Sequence, residues 1–545
     1  MRQTKAPEKT IWKAGSMTAK APNPIETRST AGSTACAAAI CISLLSGCNV
    51  GPRYAAPAPP TAPAFKEASP AAYSQAPPGA WQPAQPQDAA LKGKWWEMFN
   101  ESELNTLEDQ LNIDNENIAR YFQNFMAARA QVREARTSYF PTVTLNPALS
   151  RTGAGAASTG APAEIGAKPT ASASTGATEF ALPLDVSWEP DLWGRIRNTV
   201  GEYQYAAQVS AADLENERLT EQAALAEYYL ELRGQDALQD LYNRTIDADR
   251  QSLDLTRALV ETGIDSPEAA AQAEVTLKDA EAAGIGIATN RALYEHAIAT
   301  LIGKPASTFS MPVKNLTTAV PAIPVGVPSQ LLQRRPDIAA AERAMAQANA
   351  TIGVEKAAYY PTVSLTGAAG FQSSTIARLF SLPALFWSLG ASASQTVFDA
   401  GLRKATVAQY TAAYNADVAA YKQTVLAAFQ QVEDYIATLR VTSQQIAKQD
   451  AAVQAAQRYV DIATARYQTG LDPYLDVIAA QSILLNDQQT LVTLRVSEVT
   501  AAVQLIQALG GGWNVTQLPS VPQVTSGGGA SGRQDSTGRL ILPGH

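Results

Sequence analysis

Ala135-Arg136-Thr137-Ser138-Tyr139-Phe140-Pro141-Thr142-Val143-Thr144-Leu145 returns 220 positions later as Glu355-Lys356-Ala357-Ala358-Tyr359-Tyr360-Pro361-Thr362-Val363-Ser364-Leu365. In both stretches a helical pattern runs into a proline, whose ring bars the preceding residue from helical backbone angles, so an extended segment must begin there. Farther on, Tyr228 aligns with Tyr435, Leu232-Arg233 with Leu439-Arg440, and Thr262-Gly263-Ile264-Asp265 with Thr469-Gly470-Leu471-Asp472, now 207 positions apart. The first copy therefore carries a longer loop, which falls in the Gly-, Ala-, Ser- and Thr-rich stretch 146–182. Self-similarity on this scale indicates a tandem duplication. A first repeat spans 95–302 and a second 336–512, joined by a Pro- and Gly-punctuated linker, 303–335.

Two strands are expected in each repeat. Over 142–150 the odd positions Val143, Leu145 and Leu149 are apolar, and over 180–189 the even ones are: Phe180, Leu182, Leu184, Val186 and Trp188. The second repeat shows the same period of two in 362–371 and in 387–397, where Trp387, Leu389, Ala391 and Ala393 alternate with Ser388, Gly390, Ser392 and Ser394. Strands of about 9–11 residues have the length that crosses a bilayer as part of a barrel. A half-buried antiparallel sheet in a soluble domain would show the same alternation. Four strands are too few to close a barrel, and an open edge in lipid leaves backbone groups unpaired, so the spanning reading demands oligomerisation. Three copies would supply twelve strands.

Residues 197–262 and 403–469 contain no proline and are rich in Ala, Gln and Glu. As helices, each would be roughly 100 Å long at about 1.5 Å per residue. Shorter helical stretches, 102–139 and 267–302, flank the first and together match its length. Each repeat can thus be one long helix antiparallel to two short ones in line, with strands at one end and a tight turn at the other. The expected fold is an α+β membrane protein: a long antiparallel α-helical barrel continued by a transmembrane β-barrel that trimerisation completes.

The chain has 545 residues, 46% hydrophobic and 17% charged, with 42 Lys+Arg against 50 Asp+Glu and a net charge of −8. Such a balance argues against binding nucleic acid through phosphate neutralisation. Only His296 and His545 are histidines, and Cys36, Cys41 and Cys48 all stand near the N-terminus. This inventory offers no metal cluster and no nucleophile–base pair, so neither an enzyme nor a cofactor is expected. His296 reads as a helix-surface residue. A polar, mildly basic start, a short apolar run and small residues before a cleavage point describe a secretory signal over 1–47, with Met1 or Met17 as the start.

Leu45-Ser46-Gly47-Cys48 resembles a bacterial lipobox, which implies cleavage before Cys48 and lipidation of that cysteine. Stable anchoring needs more than one acyl chain, and the resemblance implies three. Residues 48–94, dense in Pro and Ala, would be a lipidated tether. With Asn49 after the cysteine, the outer membrane is the expected destination.

Several further motifs carry a family resemblance. Trp95-Trp96-Glu97-Met98-Phe99, Trp188-Glu189-Pro190-Asp191-Leu192-Trp193-Gly194-Arg195, Leu332-Gln333-Arg334-Arg335-Pro336-Asp337-Ile338 and Arg466-Tyr467-Gln468-Thr469-Gly470-Leu471-Asp472-Pro473-Tyr474-Leu475-Asp476-Val477 occur in this order. The chain resembles the outer membrane factor (TolC-like) family, in its NodT/OprM-type efflux lipoprotein branch. The resemblance implies a homotrimer in the outer membrane of a Gram-negative bacterium, extending into the periplasm, with a girdle formed by 303–335 and the residues after 510. It also implies passive conduction of small molecules, in partnership with a periplasmic adaptor and an inner-membrane pump of the RND type. A protein-secretion channel working with an ABC-type pump, or a non-conducting periplasmic scaffold, are the alternatives. The Gly/Ser-rich 513–545 is expected to be a flexible tail.

The two helix turns are where regulation is expected. Each ends a helix on a glycine, Gly263 or Gly470, and restarts it at a proline after Asp265-Ser266 or Asp472. Ser266 and Asp472 read as N-caps. Gly263, Asp265, Gly470 and Pro473 would form the tips that meet the adaptor or pump. The family's pattern maps an inter-helix lock onto Tyr467 and a lumenal carboxylate ring onto Asp476, with Asp472 in the same constriction. Such a ring selects cations; a first-turn carboxylate favoured by the helix dipole is the plainer reading of Asp476. Ala479 and Asp472 depart from the family, where a second ring aspartate and an arginine can stand.

Overall fold

The computed structural model describes residues 49–68, 93–153, 177–325 and 328–525, with a two-residue strand pair at Arg533–Gln534 and Leu540–Ile541. The expected signal 1–47 and the lipidation site Cys48 lie outside these residues.

The order of elements follows the repeat. After a 3-10 turn at Trp95–Phe99 come α1 (Ser102–Asp114) and α2 (Glu116–Thr137), then β1 (Thr142–Leu145), β2 (Ala148–Thr152) and β3 (Ala177–Trp188). The long α3 (Arg195–Glu261) and α4 (Pro267–Leu301) complete the first half. The second half holds α5 (Pro336–Ala357), β4 (Thr362–Ser373), β5 (Leu385–Ser394), α6 (Leu402–Gln468) and α7 (Tyr474–Ala508), followed by the short α8 (Val521–Thr525). The two long helices have 67 residues each, and α4 and α7 have 35 each. The helical stretch expected over 102–139 is divided at Asn115, whose side chain caps α2 by accepting from the Ile118 amide at 2.9 Å.

The strands form one antiparallel sheet in the order β1-β3-β4-β5, with β2 also on β3. Where one strand was expected over 142–150, two appear. The cause is Pro183, which lies opposite Asn146 and has no amide hydrogen to return the bond, so the ladder is interrupted there. Register nevertheless continues across the gap, from Leu145↔Leu184 to Ala148↔Ala181, and the Asn146 amide donates to the Pro183 carbonyl at 3.1 Å. β5 ends at Ser394, short of the expected 397.

Pairing sorts the side chains onto two faces. Val143 lies opposite Val186, Leu182 opposite Phe371, Trp188 opposite Leu365, and Leu389 opposite Gly367, all on one face. Thr144, Asp185, Ser364 and Ser392 share the other, where the Ser364 and Ser392 hydroxyls are 2.7 Å apart. The apolar face is not covered: Leu389 is 82% exposed and Trp387 73%. Among the described residues, the outer edges of β1/β2 and of β5 have no strand partner.

Helices extend away from the sheet. α3 packs against α2 and α4 on one side and against α5 and α7 on the other, while α6 packs against α5 and α7. Twenty-three residues of α3 are buried but only ten of α6, so α6 is the outlying helix. The main core lies about halfway along, where Trp95, Trp96 and Leu104 meet Leu225, Tyr229 and Leu230 of α3 and Val503 and Ile506 of α7. An ion-pair network fastens the linker there. Arg233, buried between Asp236 and Glu103, also donates to the Pro312 carbonyl at 2.7 Å, and Arg291 bonds Asp236 and the Met311 carbonyl. A polar cavity of about 250 Å³ is lined by Asn216 and Thr220 of α3, Gln431 of α6, and Gln504 and Gln507 of α7. Side chains from α3 and α6, both of which pack against α5 and α7, converge in it.

Both ends of the chain are more fixed than their composition suggests. In the expected tether, residues 49–68 run along the helices: Tyr54 donates to Glu342 at 2.5 Å, Phe65 is buried, and Arg440 pairs with Glu67 at 2.6 Å. In the expected flexible tail, 513–525 is packed. Trp513 is buried against Ala212, Ala339 and Ala340, and Val524 against Phe125 and Ala207. These few apolar residues, spaced between polar and proline positions, are enough to hold an extended strap against alanine-rich helices.

The tail leaves the core through Gly510-Gly511-Gly512, all at positive φ. A Cβ on Gly510 would come 2.0 Å from the Arg334 carbonyl oxygen. Gly510→Ala is therefore expected to cost at least about 1–3 kcal/mol through backbone strain alone, read as a lower midpoint of thermal unfolding in detergent. An unchanged midpoint would mean that this turn does not hold the second repeat's end.

Candidate constriction at the helical hairpin tips

The turns lie at the ends of α3 and α6 remote from the sheet, and both are built alike. The Gly263 amide donates to the Val260 carbonyl and the Ile264 amide to Leu259; the Gly470 amide donates to Tyr467 and the Leu471 amide to Arg466. These paired bonds define a Schellman motif, which needs a left-handed residue after the cap. Glycine supplies it, at φ 74° in one turn and 73° in the other. Ile264 and Leu471, at matching positions, are each 69% exposed.

Beyond the glycines the turns diverge. Ser266 is an N-cap as expected, its hydroxyl accepting from the Ala269 amide at 3.3 Å, with Pro267 in the first turn of α4. Asp472 is not a cap. α7 starts after Pro473 with no side-chain cap, and Asp472 turns back to pair with Arg466, whose Nη2 lies 2.8 Å from its Oδ1. The six-residue separation brings them together because the turn folds the chain back over the last helical residues. The Arg466 guanidinium holds the Asp472 carboxyl below the usual carboxylate range, and Asp472 raises Arg466 in return.

Tyr467 faces the other hairpin. Its hydroxyl donates to Asp265 Oδ2 at 2.5 Å and lies 3.3 Å from Thr256 Oγ1. Burial, and then the bond to Asp265, push the phenol up to about 12. Asp265 in turn accepts from the Ser266 amide at 2.7 Å, so the tip of the first hairpin is tied to the second through one carboxylate. Asp476, in the first turn of α7, is partly exposed, and its charge adds to that of Asp472 in raising Arg466. A small core, Leu253, Ala273, Leu277, Ala463, Tyr474 and Val477, backs these contacts.

The residues expected to act together are thus divided. Tyr467 joins Asp265, which the sequence placed only as a tip; Asp472 and Asp476 share Arg466, to which the sequence assigned no role. Arg466 could have been found from its place within the turn, six residues before Asp472. Thr256 carried no signal, because its meeting with Tyr467 depends on how the two repeats pack. His296 is exposed on α4, as expected.

An amphipathic sheet with its apolar face bare, at one end of a layer of long antiparallel helices, has the make-up of an outer-membrane channel protein. The chain belongs to the outer membrane efflux protein family, whose profile matches residues 107–304 and 327–511. The antibiotic efflux pump outer membrane protein ArpC of Pseudomonas putida is 31% identical over 480 residues, covering 87% of this chain and 95% of that protein. The toluene efflux pump outer membrane protein TtgC of Pseudomonas putida matches with the same identity and coverage. The solved structure of the outer-membrane channel OprN superposes with a TM-score of 0.76 at 26% identity, over 86% of this chain and 100% of that one. Membership in this family assigns a role in transport rather than catalysis.

Removing the Tyr467 hydroxyl deletes a hydrogen bond to a carboxylate, worth about 1.5–3 kcal/mol. Tyr467→Phe should speed hydrogen exchange of the amides in both turns by roughly tenfold, whereas Arg466→Gln should affect the second turn alone. Equal effects of the two variants on the first turn would dissolve the distinction between the contacts.

Proposed function

We propose that three copies assemble into one continuous conduit through which solutes leave the periplasm passively across the outer membrane. The observation that carries this reading is the sheet: an uncovered apolar face bounded by two unpaired edges. In hydrocarbon neither edge is tolerable, and pairing β5 of one copy with β1/β2 of the next satisfies both. Twelve strands then close, the face bearing Trp387 and Leu389 meets lipid, and the face bearing Thr144 and Ser392 lines the bore. Side by side, the helical walls continue that bore, with the polar cavity beside Gln431 and Gln504 on its inner side. The two repeats arise by duplication, which explains helices of equal length and turns of equal geometry.

At the opposite end, the tips close the conduit. Three copies of Asp476 and Asp472 form a constriction that favours cations, and Tyr467 on Asp265 holds the second hairpin against the first. The exposed Ile264 and Leu471, next to Gly263, Gly470 and Pro473, offer apolar contacts to a periplasmic adaptor. An inner-membrane pump of the RND type supplies the energy. Small, largely apolar compounds are the cargo, in keeping with the antibiotic and toluene efflux pumps named for the relatives. Cys48 carries the lipid: the following residue, Asn49, sits at the junction of sheet and helices, where its Oδ1 accepts from Asn198 at 3.0 Å and the Val50 amide donates to Trp193.

Detergent-solubilised protein is expected to contain three chains per particle and to conduct ions in planar bilayers, with higher single-channel conductance in Asp476→Ala. A strain lacking the protein should become more susceptible to toluene and antibiotics. A monomeric particle, or one that passes no current, would overturn the reading.

A further inference from the structure

Beneath the tips, α3 meets α7 through a polar contact that no ion pair completes. Asp249 of α3 is 3% exposed, and its Oδ2 has no hydrogen-bond partner. Three residues along the same helix, the Ser252 hydroxyl accepts from Gln481 Nε2 of α7 at 3.3 Å, and the Gln481 Oε1 is also buried without a partner. Tyr474, the first residue of α7, is buried in the same contact, and burial followed by the charge of Asp249 push its phenol up to about 12. At this one helix contact, then, two buried acceptors have no donor.

We propose that Asp249 is a gating residue for the second hairpin: with its carboxyl protonated the α6–α7 hairpin stays closed on α3, and ionisation releases it. The proposal rests on the tips being the closure of a conduit. Tyr474 stands beside Asp249 only while α7 lies against α3, so swinging the hairpin away hydrates the carboxylate and removes the cost of burying it.

The surrounding charges do not neutralise Asp249. In the first turn of α7 the titratable groups are Tyr474 and Asp476, and in the last turn of α6 they are Tyr467 and Arg466, the latter held by Asp472, while Asp461 of α6 and Asp279 of α4 are exposed. On α4, Glu274 is taken by Arg257, and Glu281 by Lys278 and Arg250. Burial alone raises the Asp249 carboxyl, to about 6. The sign follows. The closed state binds the proton more tightly than the open one, where the group has an ordinary carboxylate value, so closure is favoured below about pH 4 and is lost progressively as pH rises through 6. A gap of about two units shifts the closed-to-open ratio by up to about 100-fold per copy.

The test is single-channel recording of the full-length protein between pH 5 and pH 7.5. Wild type should open roughly tenfold more often at pH 7.5 than at pH 5. Asp249→Asn, which cannot ionise, should lose that dependence and stay at or below the wild-type pH 5 level throughout; Asp249→Leu should likewise show no dependence. An Asp249→Asn channel that keeps the wild-type pH profile, or that opens more than wild type at pH 7.5, overturns the proposal while leaving the conduit intact. Wild-type protein that passes no current at any pH refutes the conduit itself, and this gate with it. Both variants should be recovered in the same oligomeric state as wild type, which separates a changed gate from a misfolded chain.

Discussion

A backbone amide left without a partner among acyl chains costs several kcal/mol, and the sheet described here has two rows of them. Its interior pairings run from β3 through β4 to β5, but among the described residues both outer edges are bare. No helix among the described residues is long and apolar enough to cross a membrane. The apolar surface that remains is the face of the sheet, and its use in lipid depends on closing those edges. The proposed trimeric assembly and its hollow interior both follow from meeting that single demand.

The helical part answers a different problem. Alanine-rich helices pack closely but bury little apolar surface, so most of the large-residue core is gathered halfway along, where Trp95, Tyr229 and Leu230 meet. The ion pairs around Arg233 and Arg291 hold the linker across this core. Toward the tips the packing thins to a few alanines and two tyrosines, and specific polar contacts replace mass. That distribution suits a structure that is rigid at its waist and adjustable at its end.

Much of this was legible in the sequence because it is periodic. The long helices were expected within two residues of their bounds, and the alternation around Leu182 and Trp387 identified the strands and their faces. What escaped notice was set by individual residues. Pro183 interrupted the pairing of a strand whose pattern ran on through Pro147; Trp513 and Val524 fixed a tail read from the composition of the residues beyond it. At the tips, the glycine turns could be inferred from Thr-Gly-x-Asp, but Asp472 had two possible partners, a helix amide and Arg466, and local spacing did not decide between them. Contacts across the repeats, such as Tyr467 with Thr256, depend on a register that no short motif records.

The proline in the first strand has a consequence before any membrane is reached. Asn146 directs its amide inward to Pro183, so Pro147, the next residue, occupies a position that would otherwise direct a donor outward. A newly exported chain carries this exposed border through a compartment crowded with other extended polypeptides. The missing hydrogen makes indiscriminate strand addition less rewarding, as edge prolines do elsewhere, while a correctly aligned sister chain loses only one bond among many. In the proposed assembly, one imino acid at the border thus guards against stray strand addition while leaving room for the matching chain.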